Sequence, residues 1–304
     1  MKKIINPIEK SILKAELTAD KFIRQTRKGE NEIYSVNQHN SPNILREIGR
    51  LREVTFRASG GGTGEELDLD EYDLRGMCYQ QLIVWSPEDE EIIGGYRYIK
   101  CKEAIDSNGE IHLSTAHYFK FSPSFINDYL PNTIELGRSW VRPDYQPSVN
   151  PKKGLYALDN IWDGLGALVK FNPDIQYFFG KVTMYPEYNR PSRNFLLTFM
   201  NHFFSDNENL MVPYHPLLMD EDVSVYLEII NQLPYKEAFK ELNTFVREHG
   251  EFVPPLVNIY MSLSPTMKTF GTAVNADFGN VEETGILVTI ADIYEDKKER
   301  YLNF

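Results

Sequence analysis

Cysteine is scarce: Cys78 and Cys101 are the two in 304 residues, and they stand in no metal-type or redox spacing. That excludes a disulfide-stapled scaffold and a cysteine metal centre, and it predicts a reducing compartment with free thiols. No run approaches the roughly 20 apolar residues of a membrane span. The stretch Met1 to Pro7 lacks an apolar leader core, so no secretory signal is expected. Attachment to a membrane surface stays open. Positive charge is also short, with 32 Lys and Arg against 44 Asp and Glu, a net charge of −12. Nucleic-acid binding over the whole surface is therefore disfavoured. The glycine-rich stretch Ser59–Glu66 lacks the Gly-Lys-Ser/Thr ending of a phosphate loop and reads as a mobile lid or flexible loop. The acidic stretch Leu67–Asp73 lacks the ligand ladder of an EF-hand. It reads as a solvated loop or as a site for a cation or ammonium.

What is present is enough for a substantial core: 42% hydrophobic and 13% aromatic residues. Residues 1–30 look like an extension with a short helical pattern near Pro7–Phe22. From residue 31 on, the pattern predicts one domain. Its expected elements are a strand at Glu32–Val36 and a helix from Ser41-Pro42 through Thr55. Strands at Tyr79–Trp85 and Ile92–Lys100 follow, with a further short strand at His112–Phe119 and a short helix at Pro123–Tyr129. Next come a strand at Thr133–Val141, a helix over Leu155–Phe171, a strand at Ile175–Met184 and a helix over Pro191–Phe204. The apolar stripe Leu155, Leu158, Ile161, Trp162, Leu165, Leu168 reads as core. A helical insertion is expected at about 205–250, then a helix opened by Pro254-Pro255 and strands at Gly271–Asn275 and Gly285–Ile290. This order predicts a mixed α/β sheet flanked by helices, with crossover helices in its second half.

The stretch Thr133–Val141 carries Glu135 and Arg138 inside a segment otherwise suited to burial. Such charge must be used or paired. Positions i and i+3 of an ideal strand face opposite ways, and Gly137 between them permits a bulge that re-aims one side chain. A carboxylate in a partly dry cleft is a candidate general base; an ordinary ion pair is the plain alternative. Arg52 and Phe56, at i and i+4, share a helix face. Arg97 follows Gly94-Gly95-Tyr96 on a strand and points either to a cleft or to a surface salt bridge.

Taken in order, Leu51-Arg52-x-x-x-Phe56, Asp70-x-x-Asp73, Gly94-Gly95-Tyr96-Arg97 and Glu135-Leu136-Gly137-Arg138 resemble the acyl-homoserine-lactone synthases. They resemble more closely the ornithine-lipid and glycine N-acyltransferases, often labelled hemolysin-like. The tail Val253-Pro254-Pro255-Leu256-Val257, then Phe270-Gly271 and Asn275-Ala276-Asp277-Phe278, looks like that branch too. The resemblance spans about residues 44–290 and implies the GNAT fold of acyl-CoA N-acyltransferases. The tryptophan common in the lactone synthases is missing from the glycine-rich loop. The usual GNAT pyrophosphate loop is replaced by Gln146-Pro147-Ser148-Val149-Asn150 before Lys152-Lys153-Gly154.

The resemblance implies transfer of a fatty or 3-hydroxyfatty acyl group from a thioester to the amino group of glycine or ornithine. The implied donor is acyl carrier protein through its phosphopantetheine, with acyl-CoA as the alternative. No bound cofactor and no metal are called for. Glu135 takes the ammonium proton, directly or through water. Asp70 and Asp73 hold the acceptor and Arg52, and Arg97 or Arg138 meets the acceptor carboxylate. Backbone N–H groups freed at the bulge receive the oxyanion, and Phe56 borders the acyl chain. From Arg138 to Arg193, eight basic residues stand against five acidic ones, as expected of a docking face for an acidic carrier protein. A cytoplasmic enzyme follows, with peripheral contact at the inner membrane left open. The rivals are a lactone-type signal synthase, a glycerolipid O-acyltransferase suggested by His215-x4-Asp220, and a non-catalytic carrier- or lipid-binding module of the same fold.

Overall fold

A computed structural model describes residues 1–219 and 222–302. Its strands are β1 (Phe22–Gln25), β2 (Glu32–Val36), β3 (Gln80–Ser86), β4 (Glu91–Lys100), β5 (Phe119–Phe121), β6 (Thr133–Val141), β7 (Tyr177–Met184), β8 (Met211–Pro213), β9 (Lys268–Asn275) and β10 (Val281–Thr289). Eight of them form one sheet in the order β1-β2-β3-β4-β6-β7-β10-β9. Every neighbouring pair is antiparallel except β6 and β7, which run parallel. The parallel pair needs a crossover connection, and a helix supplies it. β5 and β8 pair apart from this sheet.

The helices are α1 (Lys10–Glu16), α2 (Pro42–Ala58), α3 (Glu71–Leu74), α4 (Pro151–Gly154), α5 (Ala157–Phe171), α6 (Arg190–Phe203), α7 (Ser224–Ile230), α8 (Tyr235–Glu248), α9 (Pro255–Met261) and α10 (Glu295–Tyr301). Alternation on β3 shows how they are layered. Leu82 packs with Ile161, Trp162 and Leu165 of α5, while its neighbour Ile83 packs with Ile48 and Leu51 of α2. Helices α2 and α5 thus cover opposite faces. The α6 aromatics Phe195 and Phe199 meet Phe245 and Phe239 of α8 on the α5 side.

The expected strands and helices of the sheet are present, with four departures. The N-terminal pattern yields only α1, after which Phe22–Gln25 turns to pair antiparallel with β2. Ser114–His117 winds as a 3₁₀ turn instead of a strand, so β5 starts only at Phe119. Leu155 lies outside the α5 stripe, 61% exposed, because the helix begins at Ala157. The glycine-rich loop is tied down. The Glu53 carboxylate, buried on α2, accepts from the Thr63 amide (3.0 Å), the Thr63 hydroxyl (2.9 Å) and the Gly64 amide (2.8 Å).

Candidate active site

The site forms where β6 and β7 part. Their register runs from Thr133↔Tyr177 to Leu136↔Gly180 and stops there. A Cβ on Gly180 would stand 2.6 Å from the Leu136 carbonyl oxygen, so the last pairing needs a glycine. Beyond it the two strands diverge, and a fissure of about 280 Å³ opens through the sheet. On the α2 face its walls are charged and aromatic: Phe56, Arg97, Arg138, Lys181, Phe278 and Glu283. On the α5 face they are apolar: Leu136, Ile161, Trp162, Leu165, Leu256 and Tyr260. One opening therefore joins a polar chamber to a greasy one.

The β6 bulge shapes the polar side. Arg97↔Gly137 and Gly95↔Trp140 are paired, so Arg138 and Ser139 together oppose Tyr96. The bulge lies beside Gly137, as its position suggested, but the left-handed residue is Arg138, at φ 50°. The extra residue brings Arg138 onto the same face as Glu135, where its Nε donates to Asp68 at 3.2 Å. Its guanidinium also stacks 4.4 Å from the Phe278 ring centre.

Behind the chamber lies a buried charge network. Arg52 falls on the apolar stripe of α2, between Leu51 and Phe56, and is fully buried rather than solvated. Its Nε donates to Asp68 (2.9 Å) and its Nη1 to Asp73 (3.2 Å). Arg97 Nη1 donates to both oxygens of Asp70, at 2.7 and 2.8 Å, and lies 3.3 Å from Asp73. Asp70 and Asp73 also close a capping box at the start of α3. Burial would raise the Asp68 and Asp70 carboxyls, but the arginines overcome it. Arg138 and Arg52 lower Asp68, and Arg97 holds Asp70 well below the carboxylate range. The acidic stretch is thus neither a solvated loop nor an open ammonium site. It supplies the counterions of three arginines.

Glu135 is fully buried and does not itself line the fissure. Ser114, which does, donates its hydroxyl to Glu135 Oε1 at 2.6 Å. Thr115 donates to Oε2 at 3.2 Å, and the Ser114 amide donates to the Tyr79 hydroxyl at 2.9 Å. Burial pushes the Glu135 carboxyl up, while the Ser114 hydrogen bond and the nearby Arg97 pull against it. A buried serine at the fissure wall thus connects a proton acceptor to the chamber.

Of the seven residues singled out from sequence, Phe56, Arg97 and Arg138 face the fissure. Arg52, Asp70, Asp73 and Glu135 stand behind it. Sequence reasoning missed Asp68, Ser114, Lys181 and Glu283. Asp68 precedes Asp70 by two positions and could have been suspected; Ser114 carries no local signal. The excess of basic residues between Arg138 and Arg193 is partly internal. Arg193 and Lys181 are largely buried against Glu282 and Glu283, Arg142 pairs with Glu91 and Asp144, and Lys153 pairs with Asp89. Of the pair His215-x4-Asp220, Asp220 lies outside the described residues. Among the described residues, no helix is long and apolar enough to cross a membrane.

Residues 51–153 match the acetyltransferase (GNAT) domain model. That segment runs from the middle of α2 into α4 and includes the bulge. A weaker likeness is to the coenzyme A-dependent acyl-homoserine lactone synthase BjaI. It covers 88% of this chain and 85% of that one, at 13% identity and a TM-score of 0.37. The glycine N(alpha)-acyltransferase of Phocaeicola vulgatus is 53% identical over 99% of this chain and 93% of its own length. That of Bacteroides thetaiotaomicron is 52% identical over 99% and 90%. Identity at this level, over nearly the whole chain and not confined to the domain match, means that the chain belongs to the glycine N(alpha)-acyltransferases, acyltransferases of the GNAT fold.

Proposed function

We propose that this chain transfers a long fatty acyl group, with 3-hydroxyacyl groups among its donors, from the phosphopantetheine thioester of acyl carrier protein to the amino group of glycine. The supporting observation is the two-sided fissure, charged toward α2 and apolar toward α5. It suits a reaction that joins a zwitterion to an aliphatic chain. Glycine is favoured over ornithine by the relatives' names. The carrier protein is favoured over coenzyme A by the departure of Gln146–Gly154 from the usual pyrophosphate loop.

The glycine ammonium gives one proton to Ser114 as Ser114 passes its own to Glu135. The free amine attacks the thioester carbon. A backbone N–H released at the Arg138–Ser139 bulge stabilises the oxyanion. The C–S bond then breaks, and the second amine proton accompanies the departing thiol. Arg138 meets the acceptor carboxylate. Arg97 is held by Asp70 and Asp73, and with Arg52 it fixes Arg138 through their shared acids. Phe56 closes the chamber beside Phe278, 5.2 Å between ring centres. The product is itself a lipid, which fits a cytoplasmic enzyme that makes peripheral contact with the inner membrane.

The test is incubation with acyl carrier protein thioester and either glycine or ornithine, following thiol release and product mass. Acylglycine with stoichiometric thiol is the expected result. Acylornithine, a lactone, or binding without thiol release would overturn the reading.

A further inference from the structure

Opposite Arg138 stands a second cation that the proposed chemistry does not use. Lys181 is the first β7 residue past the Gly180 branch point, and its side chain is 11% exposed to the fissure. It is bonded to Glu283 of β10, which is 1% exposed. Glu283 also accepts from the Thr183 hydroxyl (2.8 Å) and from Asn275 Nδ2 (3.1 Å). The Lys181 ammonium lies 4.7 Å from the Tyr118 ring centre. Two anchors thus fix the carboxylate that fixes the lysine, and an aromatic face holds it from the side.

A buried Lys–Glu pair at a cavity wall contributes little to stability relative to an apolar pair of the same size. Here the pair faces a chamber whose other wall presents Arg138. The two cations repel each other, and burial together with Arg138 and Arg97 lowers the lysine's affinity for its proton. An anion placed between them relieves that repulsion. Two anchored cations, projecting from strands that diverge at Leu136 and Gly180, face each other across the gap where the acceptor must lie.

We infer that Lys181 and Arg138 form a two-cation clamp for the α-carboxylate of the acceptor amino acid, with Glu283 as the positioning residue that holds Lys181 in it. This rests on the glycine reading above and deepens it. The clamp sits on the lip of the fissure, next to the bulge that would receive the oxyanion. A side chain larger than glycine's hydrogen would have to share the chamber with Phe56 and Phe278.

The experiment compares glycine with glycinamide, which has the amine but no carboxylate, in the full-length enzyme with acyl carrier protein thioester. Lys181→Met should lower kcat/KM for glycine about 10-fold or more, the scale of a lost charge-assisted contact. It should lower kcat/KM for glycinamide far less, with the KM for the acyl donor unmoved. Lys181→Arg should keep the preference. Removing the lysine alone leaves Glu283 unpaired, so the double variant Lys181→Met/Glu283→Gln is measured too. It restores neutrality, and it should show the same loss of discrimination. If glycine and glycinamide rates fall together, or the preference survives in both variants, the clamp is wrong while the acceptor reading stands. A wild type that acylates no glycine overturns both.

Discussion

Replacing Glu135 by Gln tests the proposed proton path most directly. The change is nearly isosteric in a fully buried position. The amide oxygen can still accept from Ser114 and the amide nitrogen can donate to Thr115, so the fold should survive. What is lost is the capacity to hold a proton. General-base catalysis is worth roughly 10²–10⁴-fold, and kcat should fall on that scale with the donor KM little changed. Ser114→Ala breaks the 2.6 Å link between Glu135 and the fissure and should cost a similar factor. Because the two act as one path, the double variant should be hardly worse than either single one. The wild-type rate should rise with pH through the Glu135 titration. Burial moves that limb above the ordinary glutamate value, about 4.3. Thiol release at saturating glycine, measured from pH 4.5 to 9, should show the limb in the wild type and none in the Gln variant. A Gln variant within about threefold of wild type, well short of a general base's share, would refute the path. So would multiplicative losses in the double variant.

Other expectations follow from the same geometry. Arg52→Leu leaves Asp68 and Asp73 buried beside fewer cations and should destabilise the protein by about 3–5 kcal/mol; adding Asp68→Asn should recover part of that in urea titrations. The arginines depress the Asp68 and Asp70 carboxyls in the folded state. These groups therefore contribute stability above the unfolded aspartate value, about 3.9, and lose it as pH falls further through the folded values. The urea midpoint should drop on acidification, and less so in Asp70→Asn. Leu165→Trp narrows the apolar chamber and should shift the preferred donor to shorter acyl chains, read from product masses. Cys101 is fully buried, and burial pushes its thiol up, so native protein should leave it unlabelled by a thiol reagent.

The sheet was largely legible because its strands carry the period-two and apolar signals that burial imposes. Glu32–Val36 and Thr133–Val141 stand where their patterns put them. The segment Ser114–His117 misled because its small and polar residues suit a strand edge as well as a tight turn. What makes it a turn is tertiary: the Ser114 amide finds Tyr79, 35 positions away. The first wall of the site was readable as charges inside apolar segments, namely Arg52, Arg97, Glu135 and Arg138. The second wall was not. Lys181 and Glu283 also lie in strands, but their pairing depends on β7 and β10 being neighbours, which no local spacing encodes. A count of basic residues overstated the exposed charge for the same reason, since it cannot tell Arg193 beneath Glu282 from a lysine in water.

The topology also sets a timetable. Lys181 and its carboxylate partner are 102 residues apart, and β10 is the last strand made. A chain leaving the ribosome has finished α2, the bulge and the three arginines long before Glu283 exists. Until then, β7 presents an unpaired edge and an uncompensated ammonium. Maturation of the enzyme therefore waits on translation past Glu283, and a product stopped before residue 281 would hold half a cleft and a stranded charge.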